Sequence, residues 1–295
     1  ATTGMFSVAI GAIANLTLDP VFIFVFGLGI RGAAIATVLS QILSAAFVLY
    51  FLQKKTELKV RLLSGEEIRD CGRRAKNIIS LGTAGFIMQL TNSLVTICCN
   101  NVLSVTGGDL YISVMTIVSS IRQIIDTPIH AITEGSSPVI SYNYGARRPK
   151  RVFQSWLTMS VMAILYTLLA WGVILFAPRF LIGIFSSDQA LITDAIPALK
   201  LYFGAFVFQA LQYVGQTMFK SLGKKKFAIF FSLLRKVIIV VPLTYILPYL
   251  FHMGSDGVFL AEPVSNVLGG SACFIVMLCT VMPELKRMAK ENSDC

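Results

Sequence analysis

Charge is what this 295-residue chain has little of: Asp, Glu, Lys and Arg make up 14% of it, against 55% hydrophobic residues. Soluble domains carry about a quarter charged residues, so a water-facing globule is a poor fit. Histidine is scarcer still, with two. No HExxH, DDxxD or GxGD pattern occurs, so zinc proteolysis, prenyl transfer and aspartyl proteolysis lack their usual residues. The six cysteines form no disulfide framework. Cys98, Cys99, Cys273 and Cys279 fall in apolar runs and Cys71 in a basic loop, where packing is their ordinary role. Long polar stretches are rare as well. The one present is Gln53 to Lys76.

What is there is hydrocarbon in membrane-length pieces. Apolar runs exceed the roughly 20 residues that a helix needs to cross a bilayer, and eight are expected: 5-26, 30-52, 77-104, 110-140, 152-177, 193-221, 227-251 and 256-282. The fold class is an all-α polytopic helical bundle. A net charge of +10 invites a nucleic-acid reading, but a phosphate-binding face would cluster its cations on a soluble surface. Here eighteen of the 25 Lys and Arg lie in four places, Lys54 to Lys76, Arg147 to Arg151, Lys224 to Lys226 and Lys286 to Lys290. The intervening connections hold Asp109, Asp188, Asp194 and Asp256. The positive-inside rule puts the basic loops and the C-terminus in the cytoplasm of a cell whose plasma membrane the chain crosses several times.

The chain also repeats itself. Phe26, Gly29, Gly32, Ala36, Ser40 and Leu43 recur 225 positions later as Phe251, Gly254, Gly257, Ala261, Ser265 and Leu268, and Gln41 faces Asn266. A helical hairpin near the start is echoed by one at the end. A duplicated unit of that period needs about twice its length to be complete, so a fragment is expected, with four helices missing upstream of eight of an expected twelve. Residues 1-53 are then the last hairpin of a first lobe. Residues 54-76 are a cytoplasmic linker whose Ser64 and Glu67 have capping-box spacing. Residues 77-283 are a second six-helix lobe, pseudo-symmetric with the first, and 284-295 a cytoplasmic tail. Two such lobes are a transporter architecture. Prolines Pro20, Pro128, Pro138, Pro242, Pro248 and Pro263 fall inside the spans and should kink them.

Polar residues inside these spans carry the functional reading. Asn15 and Asp19 are four apart and share a helix face. Thr37 lies beyond the turn at Gly29, at a similar depth, roughly 12 to 15 Å by the 1.5 Å rise per residue. Pro20 has no N-H to offer the carbonyl of Leu16. These oxygens suit Na⁺ or a proton. Alternatively, Asp19 caps a kink or snorkels to the interface. Two further stripes, Gln89, Asn92, Thr96 and Asn100, then Gln209, Gln212 and Gln216, each occupy one helix face and line either a neighbour helix or a wet cavity. Met88 and Tyr213 beside them offer adaptable apolar contact. Arg122 and Asp126 are one turn apart and can neutralise each other. Glu134 has no cation nearby in sequence and is the candidate for attracting a cationic substrate. Glu262 takes the repeat position of Thr37 and Thr244 that of Asp19, which leaves two readings: a reversed, weaker polar site in the second lobe, or Glu262 facing water near the outer end. His130 is expected as a packed polar residue, and Arg235 and Lys236 are expected to snorkel towards the basic inner loop.

The segment NLTLDPVFIFVFGLGIRGAAIATVLSQ resembles the fifth and sixth helices of the multidrug and toxic compound extrusion family. Pro138 with Tyr142-Asn143-Tyr144-Gly145-Ala146, Gly215-Gln216, Leu222-Gly223-Lys224 and Ala261-Glu262-Pro263 extend the resemblance along essentially the whole chain, as helices five to twelve of twelve. The resemblance implies a secondary antiporter without cofactor, exporting amphipathic or cationic small molecules in exchange for Na⁺ or H⁺. It implies Asn15, Asp19 and Thr37 as part of a first-lobe cation site, and tips Gln89, Asn92, Gln209, Tyr213 and Gln216, with Glu134, towards a substrate cavity. Membrane lipid is the expected surrounding, with neither nucleic acid nor an obligate protein partner. Two departures stand out. Thr83-Ala84 follows Gly82 where the family often has proline, and neither the third nor the sixth predicted helix carries an internal carboxylate. A lipid-linked precursor flippase can share the two-lobe plan, but it should line its cavity with several cations, and Arg122 is the one expected well inside. A membrane-embedded enzyme is the less favoured alternative.

Overall fold

The computed structural model describes residues 2–55 and 65–292, all in helices and short connections with no strand among them. The chain divides into two compact units, Ala1–Asn77 and Ile78–Cys295. Of the expected linker, residues 56–64 lie outside the described residues, Ser64 of the capping box among them. So do the side chains of Glu67, Cys71 and Met88, and the last three residues of the tail.

The first unit is built on a hairpin of α1 (Thr2–Pro20), continued by a π-helical turn (Val21–Val25), and α2 (Gly29–Lys55). Pro20 withdraws one backbone donor and crowds the turn before it. The widened turn beyond it closes with Phe26 N-H donating to the Val21 carbonyl at 3.0 Å. Gly27 and Gly29 then take left-handed backbone angles, φ 63° and 52°, which a residue without Cβ adopts at little cost. Small residues let the helices approach: Gly32, Ala36 and Ser40 are buried in a row, and the Ser44 hydroxyl donates to the Ser7 carbonyl at 2.7 Å. Such small-residue seams hold helices together where lipid removes the hydrophobic drive.

The end of the second unit reproduces this hairpin bond for bond in its backbone. Phe251 N-H donates to the Ile246 carbonyl and Met253 N-H to that of Leu247, as Phe26 does to Val21 and Leu28 to Phe22, every partner displaced by the same 225 positions. His252 (φ 54°) and Gly254 (φ 56°) repeat the left-handed pair. Ser265 donates to the Glu262 carbonyl at 2.7 Å as Ser40 donates to that of Thr37 at 2.8 Å. The sequence echo is thus a shared local structure.

Between these hairpins run α3 (Gly65–Thr106), α4 (Gly108–Gly145), α5 (Pro149–Phe176), a short α6 (Pro178–Gly183), α7 (Gln189–Tyr202), α8 (Phe206–Ser221) and α9 (Lys225–Leu233). A π turn (Leu234–Val240) leads into α10 (Val241–Tyr249); α11 (Gly254–Ser265) passes through another (Asn266–Gly270) into α12 (Ser271–Glu291). The eight expected spans overlap these helices with differences in bounds and breaks, and α3 and α4, which hold the spans expected over 77-104 and 110-140, are not among the helices apolar enough to cross a membrane by length and composition. The span expected over 193-221 is broken at Phe203-Gly204-Ala205 and bends by 49°. Helix α3 starts at Gly65, inside the expected linker, and runs unbroken to Thr106. Among the described residues, five helices are long and apolar enough to cross a membrane, or six if the bent pair is one span. On α5, Leu157, Val161, Leu165, Leu168 and Phe176 are exposed while Trp156, Met159, Ala163 and Ile174 are buried. A helix apolar on both its inner and outer faces belongs in a bilayer.

The second unit has two apolar cores. One gathers Leu103, Val118, Ile121, Leu199, Phe203 and Phe259; the other gathers Ile129, Met159, Val214, Phe219, Cys273 and Met277. Arg122 and Asp126 fall on α4 where the first core gives way to the second, and Glu262 does so between Phe259 and Cys273. A polar layer is therefore sandwiched between two greasy ones. The basic segments 147–151, 224–226 and 286–290 gather at one end: Asn292 donates to the Arg147 carbonyl at 2.6 Å and Lys224 pairs with Glu284 at 2.5 Å.

A β-carbon on Gly32 would sit 2.5 Å from the Phe22 carbonyl oxygen, and one on Gly257 would sit 2.8 Å from the Pro248 nitrogen, both rigid backbone. Gly32→Ala and Gly257→Ala should each destabilise the protein by about 1–3 kcal/mol, read as a lowered thermal midpoint in detergent. Gly172→Ala, with nothing within 4 Å, should leave the midpoint unchanged or raised. Equal midpoints for all three would show that the hairpin contacts yield freely.

Candidate functional site

In the first unit the structure brings Asn15, Asp19 and Thr37 together. The Asn15 amide lies 3.4 Å from Asp19 Oδ1 and 3.5 Å from Thr37 Oγ1, reaching along its own helix and across to α2. Asn15 and Asp19 are half-buried. The distances are long for hydrogen bonds, and Thr37 is exposed. Thr37 also donates to the Ala33 carbonyl at 2.9 Å, which turns its lone pairs towards the other two. Asp19 is the one carboxylate of the group, and no cluster of three or more metal-ligating acids, histidines or cysteines exists among the described residues. What this arrangement can do is hold a single positive charge, either a proton on Asp19 or a monovalent cation among neutral oxygens.

The second unit holds a cavity of about 290 Å³ lined by Asn92, Thr96, Arg122, Asp126, Tyr213 and Gln216, among others. Behind it lies an ion cluster. Glu262, 4% exposed, receives Arg122 at 2.7 Å, Arg235 at 3.1 Å and Lys236 at 3.2 Å. Arg122 also pairs with Asp126 at 3.2 Å and contacts the Tyr202 hydroxyl. Asp126 in turn accepts from Tyr213 Oη at 3.2 Å and from Gln209 Nε2 at 3.3 Å. Arg235 reaches Asn266 on the last π turn.

Backbone geometry brings these groups together. A π turn carries Arg235 and Lys236, and its wider pitch turns both inwards, where they are 4% and 7% exposed. They do not snorkel to the inner loop, as their sequence neighbourhood suggests. Both instead pair with Glu262, so the buried charges are compensated by one another rather than by water. Gly270 lies where a β-carbon would collide with the Phe208 carbonyl oxygen, and Gly215 packs on Cys273. These two contacts hold α8 against the last π turn and the start of α12, with Gln212 and Gln216 on the cavity wall.

The expected cavity residues divide. Asn92, Tyr213 and Gln216 line the main cavity, and Gln89 lines a shallower pocket that shares Arg122, Asp126 and His130. Gln209 is buried beside the cavity, bonded to Asp126 and Tyr213. Glu134 lies elsewhere: it is largely exposed and pairs with Lys220 at 3.1 Å, a cation 86 positions away in sequence. His130 packs at a tilt against Tyr213, with ring centroids 4.6 Å apart and planes 54° apart. The residues missed as a group are Glu262, Arg235, Lys236 and Tyr202. The available signal was a carboxylate at a repeat position facing two adjacent cations on a proline-containing span.

Fold and site together define a polytopic helical membrane protein with polar groups gathered inside it. The profile of the family described as MatE matches residues 84–246, and the chain belongs to that family. Among its curated relatives is the multidrug export protein MepA of Staphylococcus aureus strain NCTC 8325, 24% identical over 266 residues. The MepA of Staphylococcus saprophyticus is 24% identical over 276. The chain is covered to 89% and 92% in these matches, and spans 57% and 59% of the relatives' lengths. Solved structures share the fold: a MATE crystal structure in the bent conformation has a TM-score of 0.82 at 23% identity, over 99% of this chain and 63% of that one. An outward-facing MATE multidrug resistance transporter has a TM-score of 0.81 at 23% identity, over 97% and 63%.

Three cations meeting one buried acid make Glu262 the sensitive point of this cluster. Glu262→Gln should destabilise the protein by about 3–5 kcal/mol, the usual effect of orphaning a buried charge. Adding Lys236→Met, which removes one of the stranded cations, should recover part of the loss in a double-mutant cycle of thermal midpoints. Additive losses would deny that the two side chains interact.

Proposed function

We propose that the protein is a secondary antiporter that exports amphipathic or cationic drugs and metabolites in exchange for Na⁺ or H⁺. The observation that supports the coupling half of this reading is that Asp19 and Thr37, from two helices of the first unit, both lie against the amide of Asn15. The export half draws on the MepA relatives, which are named as multidrug export proteins.

A carboxylate placed deep in a bilayer costs on the order of 3 kcal/mol by insertion scales, and its neutral partners offset little of that while the site is empty. Binding a proton or Na⁺ cancels the charge and draws the three side chains together, a change that can bias the lobe between two conformations. By linkage, if the cation weakens cargo binding, cargo weakens cation binding equally. One charge moving across 100 mV supplies about 2.3 kcal/mol, enough to drive export against a modest gradient. No cofactor enters the scheme. The basic end at 147–151, 224–226 and 286–290, with the C-terminus, faces the cytoplasm of a cell whose plasma membrane holds the protein.

The cations around Glu262 add weight to a second reading, a lipid-linked precursor flippase of the same two-lobe superfamily. Its pyrophosphate cargo carries two or more negative charges, whereas Glu262 and Asp126 already balance two of the three cations. The flippase reading is therefore the weaker of the two, and the export reading rests on the first unit and the relatives rather than on this cluster.

Efflux from cells expressing the full-length protein tests the coupling role. Asp19→Asn should abolish the dependence of efflux on pH and Na⁺ and reduce accumulation-limiting export at least tenfold. Efflux that matches wild type at every pH and Na⁺ concentration would remove Asp19 from the mechanism.

A further inference from the structure

The cavity of the second unit carries a charge surplus that its own residues do not settle. Arg122, Arg235 and Lys236 lie on its wall with one carboxylate, Asp126, and the second carboxylate, Glu262, stands behind and contacts all three cations. Counted with every group ionised, three positive charges stand against two negative and leave one in excess. In a polar layer closed off by two apolar cores, an unbalanced cation is costly unless a counter-charge joins it.

Hydrogen bonding points the same way. Arg235 Nε and Gln216 Nε2 are buried donors with no partner in the protein, and Gln212 Oε1 is a buried acceptor without one. Each belongs to a residue at most 4% exposed that lines this cavity. Buried polar atoms nearly always find partners, and these three belong to residues of the cavity wall whose polar capacity the protein itself leaves unfilled. Val95, Met115, Tyr202 and Tyr213 supply apolar wall on the same cavity. A volume of about 290 Å³ accommodates a compact fused-ring body.

We propose that this cavity binds an amphipathic organic monoanion, a carboxylate or sulfonate, with its acid group beside Lys236 and Arg235 and its apolar body against Val95, Met115 and the two tyrosines. That the ligand is cargo rests on the export reading; that it binds here does not. The one-charge surplus sets the class. A neutral or cationic ligand leaves the excess standing, and a polyanion overshoots it.

The test uses purified full-length protein in detergent and calorimetric titration with three matched probes: 1-naphthoate, 1-naphthylmethylammonium and 1-naphthalenemethanol, with inorganic phosphate as a fourth. Naphthoate should bind at least tenfold more tightly than the ammonium isostere, the alcohol should fall between them, and phosphate should not compete at equal concentration. Lys236→Gln should weaken naphthoate at least tenfold without weakening the ammonium probe. Gln216→Glu, which adds a carboxylate outside the ion cluster, should reverse the order of the two charged probes. Tighter binding of the ammonium probe to wild type, or unchanged naphthoate affinity in Lys236→Gln, would overturn the proposal. Phosphate binding as tightly as naphthoate would overturn the amphipathic class. If either variant fails to fold, the wild-type series decides alone. Naphthoate binding without cellular efflux sinks the export reading and leaves the site, whereas efflux of cations without naphthoate binding does the reverse.

Discussion

The second unit is organised around one carboxylate. Glu262 sits between two apolar cores and draws in Arg122 from α4 and Arg235 and Lys236 from the π turn before α10. Charges buried this deeply are tolerated only when they satisfy one another, so these helices cannot shift independently. Tyr202, Gln209, Tyr213 and Asn266 extend the cluster to α7, α8 and the last π turn. Nearly every element that frames the cavity is tied to this layer, and the cavity's polarity derives from it.

Irregular backbone makes that layer possible. Each π turn lies near a proline, Pro20, Pro242 or Pro263, whose missing N-H already spoils one helical bond. A widened turn accommodates the lost bond and rotates the chain beyond it. In the first hairpin it leads into the left-handed glycines and the close approach of Gly32. In the last it carries Asn266 towards Arg235. The break at Phe203-Gly204-Ala205 has no proline within it and instead uses a residue without a β-carbon where the chain bends by 49°.

Much of this was legible in the residues themselves. Hydropathy marks the spans because lipid demands unbroken apolar length, and the 225-residue echo predicts a hairpin whose hydrogen bonds do recur at that spacing. Asn15, Asp19 and Thr37 could be grouped because two share a helix face and the third is reached by counting back from one turn. Glu262 with Arg235 and Lys236 could not be grouped so simply. Their meeting depends on a π turn that shifts the helical phase and on the packing of α4 between two others, and neither leaves a periodic signal. Glu134 shows the converse: its partner Lys220 lies far along the chain, so it looked unpaired in sequence.

The duplicated hairpins share a backbone mould and differ in electrical character. In the first, the acid is Asp19 on the leading helix, among neutral oxygens. In the second, the corresponding position is Thr244, and the acid has crossed to Glu262 on the trailing helix, among cations. Backbone shape is thus common to the two copies while the placement of charge is not. The repeat says where in a hairpin a polar group can stand, but not which sign of charge it welcomes.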